Sequence, residues 1–88
     1  MPKYNIILSR AATKSFKKID QRYAGKIKEF LKDLENGPFL EHYDIKKMVS
    51  EDDMYRCRIG IYRVVYSVQD EIVTIIVLDI DHRKDVYR

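Results

Sequence analysis

The chain has no tryptophan, one cysteine, two prolines and three glycines among its 88 residues. Each scarcity excludes something. The lone Cys57 can close no internal disulfide, which fits a reducing cytoplasm. So little glycine and proline excludes collagen-like repeats and low-complexity tracts. The longest purely apolar run, Ile75–Leu78, falls far short of the roughly 20 residues that a membrane-spanning helix needs. The opening residues Met1-Pro2-Lys3-Tyr4 lack the apolar stretch and small-residue cleavage site of a signal peptide, so none is expected. There is no CxxC, no HExxH and no phosphate-cradling glycine loop, so neither a metal nor a cofactor is expected.

What is present suits a folded protein: 45% hydrophobic and 35% charged residues, enough of each for a core and a solvated surface. At this length residues 1–88 are expected to form one domain. The formal charge of +3 is weak evidence for a polyanionic partner, but its distribution is stronger evidence. Residues 10–36 hold eight basic and four acidic side chains, whereas residues 39–53 hold two basic and five acidic. Five of the six basic residues between 54 and 88 are arginine, the side chain suited to bidentate phosphate contact.

Lys3–Leu8 reads as a short strand rich in Ile and Tyr. Ser9 is a plausible cap for a following helix, with Ala12, Phe16 and Ile19 at helical spacing. Asp20 can cap a second helix, whose apolar stripe is Tyr23, Ile27, Phe30, Leu31 and Leu34. Asn36-Gly37-Pro38 ends it, since Gly accepts a left-handed terminal residue and Pro cannot continue a helix. From Phe39 to Asp53 the sequence is acidic and less patterned, with a short strand expected over Ile45–Val49 and turn chemistry at Ser50-Glu51-Asp52-Asp53. Tyr55–Ile59 and Tyr62–Val68 then alternate as strands around Gly60-Ile61, and Ile72–Ile80 reads as a third, central strand. The fold expected is α+β: an N-terminal strand, an antiparallel helix hairpin, then a curved three- to four-stranded antiparallel meander with the helices on one face.

The hairpin fixes a register. With Gly60-Ile61 as the turn, Ile59 faces Tyr62, Arg58 faces Arg63 and Arg56 faces Val65. Cross-strand partners share a face, so Tyr55, Cys57, Ile59, Tyr62, Val64 and Tyr66 line one side, and Arg56, Arg58 and Arg63 line the other. Opposed like charges destabilise a sheet, and a polyanionic ligand would relieve them. A solvated face with acidic neighbours would account for the arginines equally well. The tail Asp81-His82-Arg83-Lys84-Asp85-Val86-Tyr87-Arg88 leaves the last strand beside Arg63 and could bring His82, Arg83 and Tyr87 to the arginine face. His82 titrates near neutrality, and Tyr87 can stack on a base or move a proton. A surface histidine and a packed tyrosine are the plainer readings. Cys57 falls on the apolar side and reads as structural, and His42 has no partner at metal spacing.

These residues resemble the RelE/ParE toxin superfamily. The likeness rests on Ile45-Lys46-Lys47-Met48, on Met54–Tyr66 with its YRxRxGxYRxxY core, and on the ending HRKDVY, and it covers nearly the whole chain. It implies the toxin of a type II toxin–antitoxin pair: a metal-independent endoribonuclease that cuts mRNA in the ribosomal A site. The expected partners are the ribosome with its mRNA and a cognate antitoxin, in a cytoplasmic hetero-oligomer without membrane attachment. The catalytic set it implies falls on Arg56, Arg58, Arg63, Arg83 and Tyr87, with His82 as a further titrating group. Lys46, Lys47 and Lys84 join the arginines in contacting RNA. Arg56 and Arg58 depart from the lysines of the best-known relatives, and an arginine essentially never deprotonates, so it can stabilise charge but not act as acid or base. Gyrase inhibition, as in ParE-type members, and a catalytically inactive, antitoxin-bound relative are the alternatives.

Overall fold

In a computed structural model, residues 3–49 and 53–82 are described. Strand β1 (Asn5–Leu8) leads into helices α1 (Arg10–Lys17) and α2 (Gln21–Asp33), followed by strands β2 (Asp44–Lys47), β3 (Met54–Ile59), β4 (Tyr62–Gln69) and β5 (Thr74–His82). Both expected helix caps are made. Ser9 Oγ accepts from the Ala12 amide at 3.0 Å, and Asp20 Oδ1 accepts from the Arg22 amide at 2.9 Å. Beyond α2 a single 3-10 turn, Leu34–Asn36, runs to Gly37, whose φ of 131° closes the helix to continuation. The turn expected over residues 50–53 lies mostly outside the described residues.

The sheet order is β1-β5-β4-β3-β2. The last four strands form the expected antiparallel meander. β1 joins it as a parallel edge beside β5, so the sheet is mixed and five-stranded. The middle place belongs to β4, with β5 one strand further out. The reason is visible in β4 itself, where Val64, Val65, Tyr66, Ser67 and Val68 are all buried. The two helices cover one face, over a core of Ile27, Phe30, Leu34, Tyr66, Ile75 and Val77.

The β3–β4 register is the one the turn dictates: Ile59 opposite Tyr62, Arg58 opposite Arg63, Arg56 opposite Val65. The β4–β5 ladder contains a bulge. Val65 faces Asp79 and Tyr66 faces Val77, so Leu78 is the extra residue. Ser9 holds this bulge where β1 turns away into α1: its amide donates to the Val77 carbonyl at 2.9 Å and its Oγ to the Leu78 carbonyl at 2.7 Å.

Candidate functional site

The face of the sheet away from the helices carries the arginines. The register sets a row of four charges across it: Asp44 on β2, Arg58 on β3, Arg63 on β4 and Asp81 on β5. Two like charges sit together at the centre with a carboxylate outside each. Arg58 Nε lies 3.9 Å from Asp44 Oδ2, and Arg63 Nη2 lies 3.7 Å from Asp81 Oδ2. Both separations exceed hydrogen-bond range, and pairs this loose and partly exposed contribute at most about 1 kcal/mol each. They offset the Arg58–Arg63 repulsion without locking either guanidinium. The next row along the strands is Lys46, Arg56, Val65 and Asp79, whose Oδ1 accepts from Ser15 Oγ at 3.3 Å. Among the described residues Lys46 and Arg56 have no ion pair.

The Arg63 side chain is 19% exposed, against 39% for Arg58. Its Nε is buried and has no hydrogen-bond partner among the described residues. A buried donor left unsatisfied costs about 1–3 kcal/mol, more when it is charged. An anion that presents one oxygen to Nε and another to Nη2 would remove that cost and displace Asp81 from its loose contact.

Other expected members are not brought to this face. Lys47 pairs with Tyr55 and so belongs to the helix side, one residue out of step with Lys46. His82 stands opposite Tyr62, with ring centroids 5.3 Å apart in an edge-on arrangement. Tyr62 is a buried residue of the helix side, and its Oη accepts from the Asp20 amide at 3.0 Å. The bulge at Leu78 is the cause. Without it the ladder would set Arg63 opposite Ile80 and place His82 on the arginine face. One inserted residue reverses the alternation, sends His82 to the helix side and puts Asp81 beside Arg63. Arg83, Lys84 and Tyr87 lie outside the described residues. Cys57 is fully buried on the helix side, where desolvation pushes its thiol up to about 12, so it is no nucleophile.

Asp44 and Asp81 are the site residues that sequence reasoning missed. Asp44 follows from the β2 register, which an acidic and weakly patterned segment does not announce. Asp81 follows only once the bulge is known. As built, the face has two arginines at its centre and a carboxylate outside each. Among its described residues there is no histidine and no buried carboxylate suited to proton transfer at neutral pH.

Comparison with known proteins gives the class. The sequence model of the family described as "ParE toxin of type II toxin-antitoxin system, parDE" matches residues 6–87. The chain belongs to the RelE/ParE superfamily, the toxins of type II toxin–antitoxin systems. Its relatives carry RelE-type names. The putative toxin RelE1 of Methanocaldococcus jannaschii is 32% identical over 87 residues, covering 98% of this chain and 97% of the relative. Toxin RelG of Mycobacterium tuberculosis is 28% identical, covering 97% of each. Among solved structures, the archaeal RelE–RelB complex from Pyrococcus horikoshii has a TM-score of 0.82 and 28% identity, covering 92% of this chain and 96% of the other. No helix among the described residues is long and apolar enough to cross a membrane.

Proposed function

We propose that the chain is the ribosome-dependent endoribonuclease of its toxin–antitoxin pair. The observation that carries this reading is Arg63, an enclosed guanidinium with a buried, unpartnered Nε and only a loose carboxylate at its tip. RNA cleavage without a metal requires in-line attack of a 2′-OH on the adjacent phosphorus. Negative charge then builds on the equatorial oxygens. Arg63 and Arg58 take those oxygens, Arg56 and Lys46 hold the neighbouring phosphate, and Arg83 adds a further cation from the tail. Arginine does not move protons, so proton transfer and base stacking are assigned to Tyr87. His82 is assigned no contact with the phosphate, because it lies with Tyr62. A face with so little acid–base equipment needs its substrate delivered in an attack-ready geometry, which is what a ribosomal A site would supply.

The Pyrococcus relative is solved as a RelE–RelB complex, which supports a cognate antitoxin for this chain as well. An antitoxin segment with acidic side chains would compete with RNA for the unpaired cations.

Mapping mRNA 5′ ends in a cell-free translation reaction tests the reading. New ends inside A-site codons, only when ribosomes are present, are expected. Arg63→Ala should lower the cleavage rate by about 10²–10³, the usual effect of removing one transition-state donor. Its folding should change little, because loss of the buried stem is offset by removal of the unsatisfied Nε. Arg63→Lys keeps the charge but not the fork and should recover only part of the rate. A second reading, inhibition of DNA gyrase, is favoured by the ParE name of the matching family. A folded protein that yields no new mRNA ends but blocks supercoiling would establish it. A protein that does neither would be an inactive, antitoxin-bound relative.

A further inference from the structure

The carboxylate beside Arg63 borders a second cation. On the open face Asp81 stands opposite Arg63, and its Oδ2 lies 3.7 Å from Nη2. That is too far for a hydrogen bond, so the carboxylate leans on the guanidinium without closing on it. At the end of the sheet Asp81 also lines a cavity of about 250 Å³, together with Ser15, Lys18, Tyr62, Ile80 and His82.

A contact between layers builds this cavity. Ser15, near the end of α1, donates to Asp79 Oδ1 at 3.3 Å. The same oxygen accepts from the Ile80 amide at 2.8 Å, which fixes the Asp79 carboxylate. The end of α1 is thereby tied to β5. Lys18 caps the helix just beyond Ser15, and Asp81 follows just beyond Asp79. An ammonium and a carboxylate thus border one cavity. Lys18 is exposed and has no ion pair among the described residues.

We propose that Asp81 is a positioning residue that governs access to Arg63: it stands in for a phosphate in the resting protein, and a phosphate that engages Arg63 fully sends it across to Lys18. The inference rests on the nuclease reading above and gives the arginine face a selectivity. A phosphate that reaches Nη2 alone exchanges one weak anion contact for another and gains little. A phosphate that reaches Nη2 and the buried Nε together also satisfies the donor left without a partner, and its grip is bidentate. Lys18 matters because a displaced carboxylate would otherwise stay beside the incoming phosphate, where like charges repel. Pairing with Lys18 takes that negative charge off the face.

The test uses the full chain and a short RNA carrying 2′-O-methyl groups throughout, which removes the attacking hydroxyl. Affinity is read by fluorescence anisotropy, and engagement of Arg63 by the NMR signal of its Nε–H. Asp81→Asn removes the charge, keeps the shape, and should tighten binding about five-fold. Glu71→Gln removes the same charge at the far end of the sheet and should change binding by less than about two-fold. In an Arg63→Gln background, the gain from Asp81→Asn should shrink to that of Glu71→Gln. Lys18→Gln should weaken the unchanged chain about three-fold and leave the Asp81→Asn chain as it was, because without the carboxylate there is nothing to receive. Circular dichroism reports folding, and Asp81→Ser takes the place of Asp81→Asn if that chain does not fold. A gain from Asp81→Asn no larger than that of Glu71→Gln, or one that survives without Arg63, would overturn the proposal. So would Lys18→Gln weakening both chains equally, which is plain charge attraction, or an Arg63 Nε–H signal that RNA does not move. Failure of both the unchanged and the Asp81→Asn chains to bind would do the same. None of these results bears on A-site cleavage, which the 5′-end mapping reads independently.

Discussion

Gly60 and Val73 occupy the left-handed backbone region for opposite reasons. Gly60 has φ 59° at the first position of the two-residue β3–β4 turn, where the strand twist demands it. A Cβ there would also overlap the Tyr23 ring. Gly60→Ala therefore meets about 1–2 kcal/mol of backbone cost and about 1–3 kcal/mol of overpacking, and should destabilise the fold by about 2–5 kcal/mol. Because this turn also fixes Arg58 opposite Arg63, the RNA cleavage proposed above should fall with stability. Val73 has φ 47°, the only described residue other than glycine with positive φ. It closes the turn after β4, its amide donating to the Asp70 carbonyl at 3.1 Å and its carbonyl accepting from the Asn5 amide at 2.9 Å. A β-branched residue is ill suited to that conformation. Val73→Gly should relieve about 1–2 kcal/mol of strain against about 0.5–1 kcal/mol of added chain entropy, a net gain of up to about 1.5 kcal/mol. Urea titration reads both variants, with the midpoint moving down for Gly60→Ala and up for Val73→Gly at an unchanged slope.

Elements differ in how plainly the sequence announces them. The caps of α1 and α2 and the whole β3–β4 hairpin are legible, because each rests on local chemistry: Ser9, Asp20, and a Gly60 turn followed by strict alternation. Sorting Arg56, Arg58 and Arg63 from Cys57, Val64 and Tyr66 needs nothing further. The pairing of β1 with β5 is not legible, since it joins segments about 70 residues apart and leaves no local signature. Nor is the bulge at Leu78, which decides that Asp81 rather than His82 shares the arginine face. The side of the sheet that local alternation does fix, the helix side, governs behaviour in alkali. Burial pushes the Cys57 thiol from 9.0 up to about 12, and it raises the Tyr66 hydroxyl, which donates to the Pro38 carbonyl at 3.2 Å, well above 10.0. Tyr43 is raised by its own burial and by its bond to Asp33. In each case the folded state holds the proton longer than the unfolded chain. Stability is therefore fully present below pH 9 and falls as pH rises, first through Cys57 and above pH 10 through the tyrosines as well. Each such group contributes a slope of up to about 1.4 kcal/mol per pH unit. Thermal melts from pH 8 to 11 should show Tm constant to about pH 9 and then declining ever more steeply. Cys57→Ala should postpone the onset by about one pH unit. A Tm unchanged through pH 11 would contradict the burial of these groups.

At the scale of the whole molecule, the net charge of +3 conceals two separate positive surfaces. The helical layer carries Arg10, Lys14, Lys17, Lys18, Arg22, Lys26, Lys28 and Lys32, all exposed, against Asp20, Glu29, Asp33 and Glu35. The open sheet face carries Arg56, Arg58 and Arg63 with Lys46, partly offset by Asp44 and Asp81. The sheet and core lie between them, so one short RNA strand can lie along the open face while most of the helical cations stay in solvent. Salt dependence separates the two. For a single strand, each phosphate neutralised contributes about 0.7 to the slope of log affinity against log salt, through release of condensed counterions. If the arginine face alone holds the strand, replacing Arg56 by Gln should reduce the slope by about 0.7, because Arg56 has no carboxylate competing for it among the described residues. Replacing Arg58 should reduce it by less, since Asp44 already shares that charge at 3.9 Å. Neutralising Lys14 and Lys17 together should leave the slope unchanged and lower only the association rate, because distant charges steer encounter without forming contacts. Titrations of a non-cleavable RNA between about 50 and 300 mM salt, with stopped-flow rates, give both quantities. A slope that falls with the helical lysines and ignores Arg56 would move the RNA to the helical layer and leave the arginine face to the antitoxin.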